Sequence, residues 1–430
     1  MKKNVWIWNH YATNMFKDCA GRHYWFAENL IDNGYTATIF CASTFHNMNE
    51  NIDTGIQLYV KDEVNGIPFV FVKTPSYQGN GKTRIKNMIA FYRNLFPVAK
   101  EFAKIHGKPD VILASSVHPL TMLAGIRLAK EFKIPCICEV RDLWPESLVA
   151  YGALKKNSLI AKSLYHGEKW IYKKADSVIM TWEGGKDYIV HQGWEKEVDL
   201  SKIKYISNGV VIDTFDKNSR ESKLVDQDLG NKDYKNIVYT GSIRKVNNLG
   251  LLVDAAKIIQ EQGRKEIRFL IYGSGNEEDV LKQRCIDENI NNVIFKGRVE
   301  KKYIPYILKS SYINILHNES TSLDKYGQSQ NKFFEYLTAG KCIVQTYSTG
   351  YSICEKFNCG VSAPIQNAEE IAKAVLNSCD DEQETLQKGK NAREAAKYFD
   401  FRLLTNKLIE IIKIVDESGK KVNEHVRKTS

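Results

Sequence analysis

Two doubly wound α/β domains of similar size are the architecture the sequence predicts. Short apolar runs alternate with helix-length amphipathic segments, the signature of βαβ units and parallel sheets. A polar, charge-rich stretch at residues 214–235 (TFDKNSRESKLVDQDLGNKDYK), read as the linker, interrupts that alternation, and 430 residues is the length of two or three domains rather than one. The expected domains are therefore 1–213 and 214–400, with 401–430 as a closing helix and tail packing back across the junction.

In the first half the apolar runs place strands at 4–9, 36–42, 68–73, 110–115, 135–140, 177–182 and 204–207. Between them lie helices such as 21–33, stopped by Gly34, and 166–174. The second series begins at Asn236, with strands at 236–240, 267–272, 292–296, 312–317 and 342–346, each followed by a helix candidate. The amphipathic segment 401–415 reads as the closing helix, and the tail after Glu417 as frayed.

Composition excludes several classes. Lys plus Arg exceeds Asp plus Glu by ten, an excess too diffuse over this length to announce nucleic-acid binding. The nine Cys contain no CxxC pair, which fits a reduced, cytoplasmic protein; Cys136 and Cys138, in one strand, are assigned to opposite faces. No stretch approaches the eighteen or more apolar residues of a membrane span, so neither secretion nor spanning is expected.

Three strand ends in the second half finish in glycine: Gly241-Ser242, Gly273-Ser274-Gly275 and Gly297-Arg298. The carboxyl ends of strands in open α/β sheets face the ligand crevice, and glycine lets backbone approach a nucleotide. Strand-end glycines are also ordinary turn devices, but three in register favour a nucleotide crevice. The window from Tyr326 to Lys341 (YGQSQNKFFEYLTAGK) carries more information. A Gly-polar loop of Gly327, Gln328 and Ser329 opens a helix whose first N–H groups and positive dipole end suit a phosphate. Glu335, one turn inside, suits a ribose diol, the alternative being an exposed helical Glu.

That window, with Asn-Gly-Val at 208–210, Arg-Asp-Leu-Trp-Pro-Glu at 141–146 and Gly-Ser-Ile-Arg at 241–244, resembles glycosyltransferase family 4, of the GT-B fold, two Rossmann-like domains facing a cleft. The similarity is greatest to bacterial surface-polysaccharide transferases with Ser-x-Asn-Lys-x-x-Glu-Tyr and Arg-Asp-x-Trp-Pro, including those resembling N-acetylfucosamine transferases. The resemblance implies a nucleotide-sugar donor, UDP-linked, on the second domain and an acceptor on the first. It also implies retention of anomeric configuration, with no metal and no cofactor. Glu335 matches the family's ribose-binding glutamate, and Arg244 its diphosphate-neutralising cation, with Lys332 and then Lys245 as further cations. Arg244, Lys332 and the backbone of Gly327 to Ser329, continuing to Asn331, then stabilise the departing diphosphate. Two departures stand out: Gly327 replaces the glutamate usual eight positions before Glu335, and the usual Lys-Gly after the Arg loop is absent, Arg244-Lys245-Val246-Asn247-Asn248-Leu249 standing in its place.

In the first domain His118, at a strand end, is expected at the sugar or its developing charge. Gly21 and Arg22 match the family's backbone approach to donor sugar or phosphate. Glu139, Arg141, Asp142 and Trp144 follow the strand 135–140 and should project into the same cleft as acceptor-binding groups, Asp142 orienting a hydroxyl and Trp144 offering an aromatic face. Their alternative is a salt-bridged turn closed by Pro145. Asn208-Gly209 reads as a turn at the domain exit.

Between Thr74 and Lys100 there is no acidic residue, while Lys82, Arg84, Lys86, Arg93 and Lys100 alternate with Ile85, Met88, Ile89, Phe91, Tyr92, Leu95 and Phe96. Such a helix suits an anionic bilayer surface, each cation contributing about 1 kcal/mol; the alternative is an apolar stripe that is simply core. The expectation is thus a peripheral enzyme on the cytoplasmic face of the membrane, extending a lipid-linked glycan for capsule, O-antigen or exopolysaccharide. Its rivals are a nucleotide-sugar 2-epimerase, a non-catalytic nucleotide-sugar-binding protein, and an NAD-dependent dehydrogenase, which lacks a complete G-x-G-x-x-G.

Overall fold

Strand β1 (Asn4–Trp8), with Val5, Trp6, Ile7 and Trp8 fully buried, is central to the sheet of the first unit. The computed structural model describes residues 2–46, 50–79, 81–116 and 118–429, with side chains to residue 417. Its chain divides into two units, Met1–Ser207 with Phe401–Ser430, and Asn208–Asp400.

In the first unit β2 (Thr36–Ala42), β3 (Tyr59–Val64), β4 (Ile67–Val72), β5 (Val111–Ser115), β6 (Cys136–Val140), β7 (Ser177–Met180) and β8 (Ile203–Tyr205) join β1. Their order is β3-β4-β2-β1-β5-β6-β7-β8, parallel except for β3 against β4. The order reverses between β1 and β5, where doubly wound sheets open a crevice at their carboxyl ends. Strand β3 was not expected from the sequence. Its YVKDEV exposes Lys61, Asp62 and Glu63, the charged character of an edge strand. The overlooked signal is Asn65-Gly66, which turns the hairpin with φ of 50° and 78°.

The second unit holds β9 (Lys235–Thr240), β10 (Ile267–Tyr272), β11 (Val293–Gly297), β12 (Ile313–Leu316), β13 (Cys342–Gln345) and β14 (Gly360–Ser362). Their order is β11-β10-β9-β12-β13-β14, all parallel, with the reversal between β9 and β12. Strand β14 is a second addition to the sequence reading.

The stretch 214–235, read as a linker, is a correction. The second unit begins at Asn208, and the stretch contains the helix Gln227–Gly230 and most of the helix Ile212–Glu221. Phe215 and Leu229 enter the core beside Val238 and Leu270. Three of the acids that made it look like a linker are paired: Asp216 with Arg393 and Lys309, and Asp226 and Asp228 with Lys296. Cys136 and Cys138 need a correction too. Strand side chains alternate with a period of two, so they share a face, where Cys138 and burial raise the Cys136 thiol well above its usual range. The closing helix Phe401–Thr429 packs in the first unit, Phe401 lying against Trp25 and Phe26. Whether side chains beyond Glu417 fray lies outside the described residues.

Candidate functional site

In the second unit the strand-end loops converge. Gly241 and Ser242 after β9, Gly273 after β10 and Arg298 after β11 line a pocket of ≈ 260 Å³ with Tyr272, Ser274, Val299 and Ile304. The glycines have a reason of their own. A Cβ on Gly273 would stand 1.7 Å from the Gly241 carbonyl oxygen, and one on Gly275 2.0 Å from that of Ile243. Each loop therefore packs backbone against backbone, tied by Gly241 N–H to Tyr272 O at 3.0 Å and Gly273 N–H to Gly297 O at 2.8 Å. Loop packing, rather than ligand approach, demands Gly273 and Gly275. Gly275 and Gly297 stand outside the pocket lining.

Arg244, at the start of the short turn Lys245–Asn247, is exposed, and while its carbonyl accepts from Asn247 N–H at 2.7 Å, its guanidinium has no ion-pair or hydrogen-bond partner among the described residues. Lys245 is exposed beside it. Lys332 lies in the first turn of the helix Asn331–Ala339, where its ammonium donates to the His317 carbonyl at 2.8 Å and sits 4.5 Å from the Tyr239 ring centroid. Burial lowers its pKa to about 7, so it is not a standing cation at neutral pH. Asn331, beside it, is exposed. Glu335 is partly buried and accepts no hydrogen bond among the described residues; burial raises its carboxyl, opposed by Lys301. The next residue, Tyr336, fixes the helix to β9 by accepting from Thr240 N–H at 2.9 Å.

The loop before that helix is more committed than the sequence suggested. Gln328 is buried, its amide donating to Gln345 Oε1 at 2.8 Å and accepting from Tyr347 at 3.3 Å. Ser329 accepts from the Asn208 backbone N–H at 2.9 Å, and its carbonyl from the Asn208 amide at 2.7 Å. The Gln328 side chain is thus occupied by the scaffold, and Asn208 braces the loop rather than merely turning the chain. Gly327 has φ 102° and ψ −172°, a conformation that excludes the family's glutamate without strain.

In the first unit the crevice end of β1, β5 and β6 holds a buried polar cluster. Glu139, on β6 and fully buried, accepts from Arg22 Nε at 2.7 Å, from Ser115 Oγ at 2.7 Å, and pairs with His23 Nε2 at 2.7 Å. Arg22 also donates to the carbonyls of Ile206 and Ser207, and Asn9 Nδ2 lies 2.8 Å from His23 Nδ1. One sequence-predicted contact is therefore corrected: the Glu139 carboxylate is spent on Arg22, His23 and Ser115 rather than on an acceptor, while the expectation at Arg22 concerns its backbone and not this side chain. Burial opposes ionisation of Glu139, yet Arg22 and His23 outweigh it and hold the carboxyl well below its usual range. Gly21, with φ 124°, starts the helix Arg22–Asp32, where a Cβ would lie 2.9 Å from Met15 Cγ.

After β6, Arg141 donates its backbone N–H to Ser116 Oγ at 2.9 Å, Asp142 is exposed, and Trp144 is partly buried before a cis bond to Pro145. The Arg141 Nε is buried without a partner among the described residues. His118 begins the helix Pro119–Phe132, with Val117 outside the described residues. It is buried, and its Nε2 lies 2.7 Å from Nδ1 of His10. Sequence reasoning missed His10, His23, Asn87, Tyr239 and His317. Only Asn9-His10, at the end of an apolar run, carried a signal.

Comparison with known proteins agrees with this layout. Residues 24–214 match the family model described as Glycosyltransferase Family 4, and residues 221–395 the one described as Glycosyl transferases group 1. An uncharacterized glycosyltransferase of Methanocaldococcus jannaschii, MJ1069, is 22% identical over 53% of this chain and 56% of its own length, so the alignment spans little more than half of that relative. Sucrose-phosphate synthase from Thermosynechococcus elongatus superposes with TM-score 0.70 at 15% identity, over 97% of this chain and 100% of the other. Anabaena Alr3699/HepE, in a complex with UDP, gives 0.66 at 13% identity over 96% and 100%. With glycosyltransferase models matching both halves and solved structures superposing along its length, the chain belongs to glycosyltransferase family 4 and has the GT-B fold.

Proposed function

We propose that this chain is a retaining glycosyltransferase that moves a hexose-type sugar from a UDP-linked donor to a lipid-linked glycan acceptor during bacterial surface-polysaccharide synthesis. The observation that carries the reading is the gathering of Gly241, Ser242, Gly273 and Arg298 around one pocket of the second unit. Relatedness adds support, since Anabaena HepE was solved both with UDP and with UDP-glucose. The Ser-x-Asn-Lys-x-x-Glu-Tyr pattern over Ser329 to Tyr336 keeps the N-acetylfucosamine transferase branch as the finer assignment.

In this mechanism Glu335 accepts from the ribose hydroxyls, its two oxygens having no other partner. Exposed Arg244 supplies the standing positive charge for the departing diphosphate. Lys332 adds a second charge once the diphosphate draws a proton onto its amine, and the backbone N–H groups from Gln328 to Asn331 add dipoles, that of Gly327 being spent on the Asp324 carbonyl at 2.9 Å. The departing phosphate takes the acceptor proton in a front-face reaction, so the step needs neither a separate general base nor a metal.

The basic helix Lys82–His106 supports the membrane half of the reading. Phe91, Leu95, Val98 and Phe102 form its core stripe, but Ile85 and Ile89 are exposed beside exposed Lys82, Lys86 and Arg93. Those cations and the two isoleucines suit the surface of an anionic bilayer. Arg84 is instead held by the Tyr11 hydroxyl at 2.8 Å, and Lys100 pairs with Glu131. Thermal stabilisation by UDP, GDP, TDP, ADP and NAD, beside Glu335→Ala, tests the donor site. A selective shift with UDP, lost in the variant, is expected; a shift with NAD alone would remove the reading.

A further inference from the structure

Three side chains from separate elements of the first unit form a buried chain: Asn87 in the helix Lys82–His106, His10 after β1, and His118 after β5. His10 Nε2 lies 2.6 Å from Asn87 Oδ1, and His10 Nδ1 lies 2.7 Å from His118 Nε2. The Asn87 amide is oriented by its other end. Its Nδ2 donates to the Pro75 carbonyl at 2.7 Å and to Thr44 Oγ1 at 3.0 Å, and a carbonyl can only accept. Oδ1 therefore faces His10 and requires a proton on His10 Nε2.

Burial first, and then His118, keep His10 neutral, so its Nδ1 carries a bare lone pair. His118 must then donate from Nε2. Burial lowers the His118 pKa to about 3, so it too is neutral, and its single ring proton is already used on His10. What remains is His118 Nδ1, a deprotonated acceptor that is buried and has no partner among the described residues. The other charged and titratable groups acting on the pair are basic: Arg84 opposes a second proton on either ring, and His46 opposes one on His10.

We propose that Asn87 and His10 are positioning residues that lock the His118 ring as its Nε2–H tautomer, presenting Nδ1 as an acceptor for a hydroxyl of the bound sugar. The identity of the hydroxyl donor rests on the glycosyltransferase reading; the tautomer does not. The consequence for chemistry is specific. In this state His118 neither delivers a proton nor carries a positive charge, and it selects a ligand by the hydroxyl that points at it. A buried acceptor left unpaired also disfavours ligands lacking that hydroxyl.

The test is a long-range proton–nitrogen correlation spectrum of the full chain carrying isotope-labelled histidine, assigned with His118→Gln and His10→Gln. Both His10 and His118 are expected as Nε2–H tautomers at pH 7, with His118 Nδ1 bare. Nδ1 should shift on adding whichever of UDP-glucose and UDP-N-acetylglucosamine binds, and not on adding UDP. In Asn87→Asp the new carboxylate holds a proton on His10 as pH falls. His10 Nδ1 then donates, and His118 is driven to its Nδ1–H form. Affinity for the nucleotide sugar, but not for UDP, should then fall by about tenfold on the acid side in that variant alone. A protonated His118 Nδ1 in the wild-type protein overturns the proposal, as does a bare Nδ1 unmoved by a UDP-sugar that binds. Failure of every nucleotide to bind, with the tautomers as expected, counts against the glycosyltransferase reading and leaves the lock standing.

Discussion

Arg22 and Glu139, 117 positions apart in the chain, form a buried ion pair with Nε 2.7 Å from Oε1. The pair joins the start of the helix Arg22–Asp32 to β6, and through the Ile206 and Ser207 carbonyls it fixes the last residues before the second unit. Removing one partner strands the other charge in a buried site, which costs about 3–5 kcal/mol. Glu139→Ala should therefore lower the urea midpoint by that equivalent. The sign of the pH dependence follows from the depressed carboxyl. Its contribution is full above the unfolded glutamate pKa of about 4.3 and is lost as pH falls through the lower folded value. Glu139→Gln should flatten that acid decline, and an unchanged profile would place the stabilisation elsewhere.

Glu335→Ala is expected to weaken nucleoside-diphosphate binding about tenfold, the loss of one charge-assisted contact. Calorimetric titration with UDP measures it, and affinity equal to wild type would remove Glu335 from the ribose.

Arg244→Ala should lower turnover by about tenfold or more while leaving the fold intact, because the exposed guanidinium braces nothing in the free protein. Initial rates with a UDP-sugar decide the matter, and wild-type kinetics would exclude the residue from leaving-group stabilisation.

Lys332 gives a pH prediction opposite in direction to that of Glu139. Burial holds its pKa near 7 in the free protein, and a bound diphosphate must raise it. Binding then takes up a proton, and UDP affinity should fall as pH rises above about 7, by at most about tenfold per unit. Titration calorimetry in buffers of different ionisation enthalpy should reveal proton uptake at pH 8 that Lys332→Met abolishes. Binding without uptake would mean that Lys332 stays neutral beside the ligand.

Replacing Lys82, Lys86 and Arg93 with Ser should reduce co-sedimentation with vesicles containing anionic lipid by about tenfold or more, given about 1 kcal/mol per cation. Arg84 is left intact because it supports Tyr11. Equal sedimentation would return the helix to a purely structural role.

Much of this was legible in the chain itself. Apolar runs long enough for a buried strand placed β1, β2, β5, β6, β9, β10, β12 and β13, because strands covered on both faces need little else to be recognised. The strand-end glycines and the Lys332–Glu335 window were legible because loop and helix start are set by neighbours in sequence. Partnership across distance was not legible. Glu139 looked like an acceptor contact until Arg22 stood beside it, and Asp216, Asp226 and Asp228 looked like the charges of a linker until Lys296, Lys309 and Arg393 met them. Gly273 and Gly275 signalled an open crevice, but it is the adjacent loop that requires them. The sequence by itself determined which segments bury apolar surface, since that depends on local pattern. Only the tertiary structure decided which polar groups are spent and which stay available: a buried donor or acceptor is defined by the partner that packing brings to it, as Asn87 and His10 are for His118.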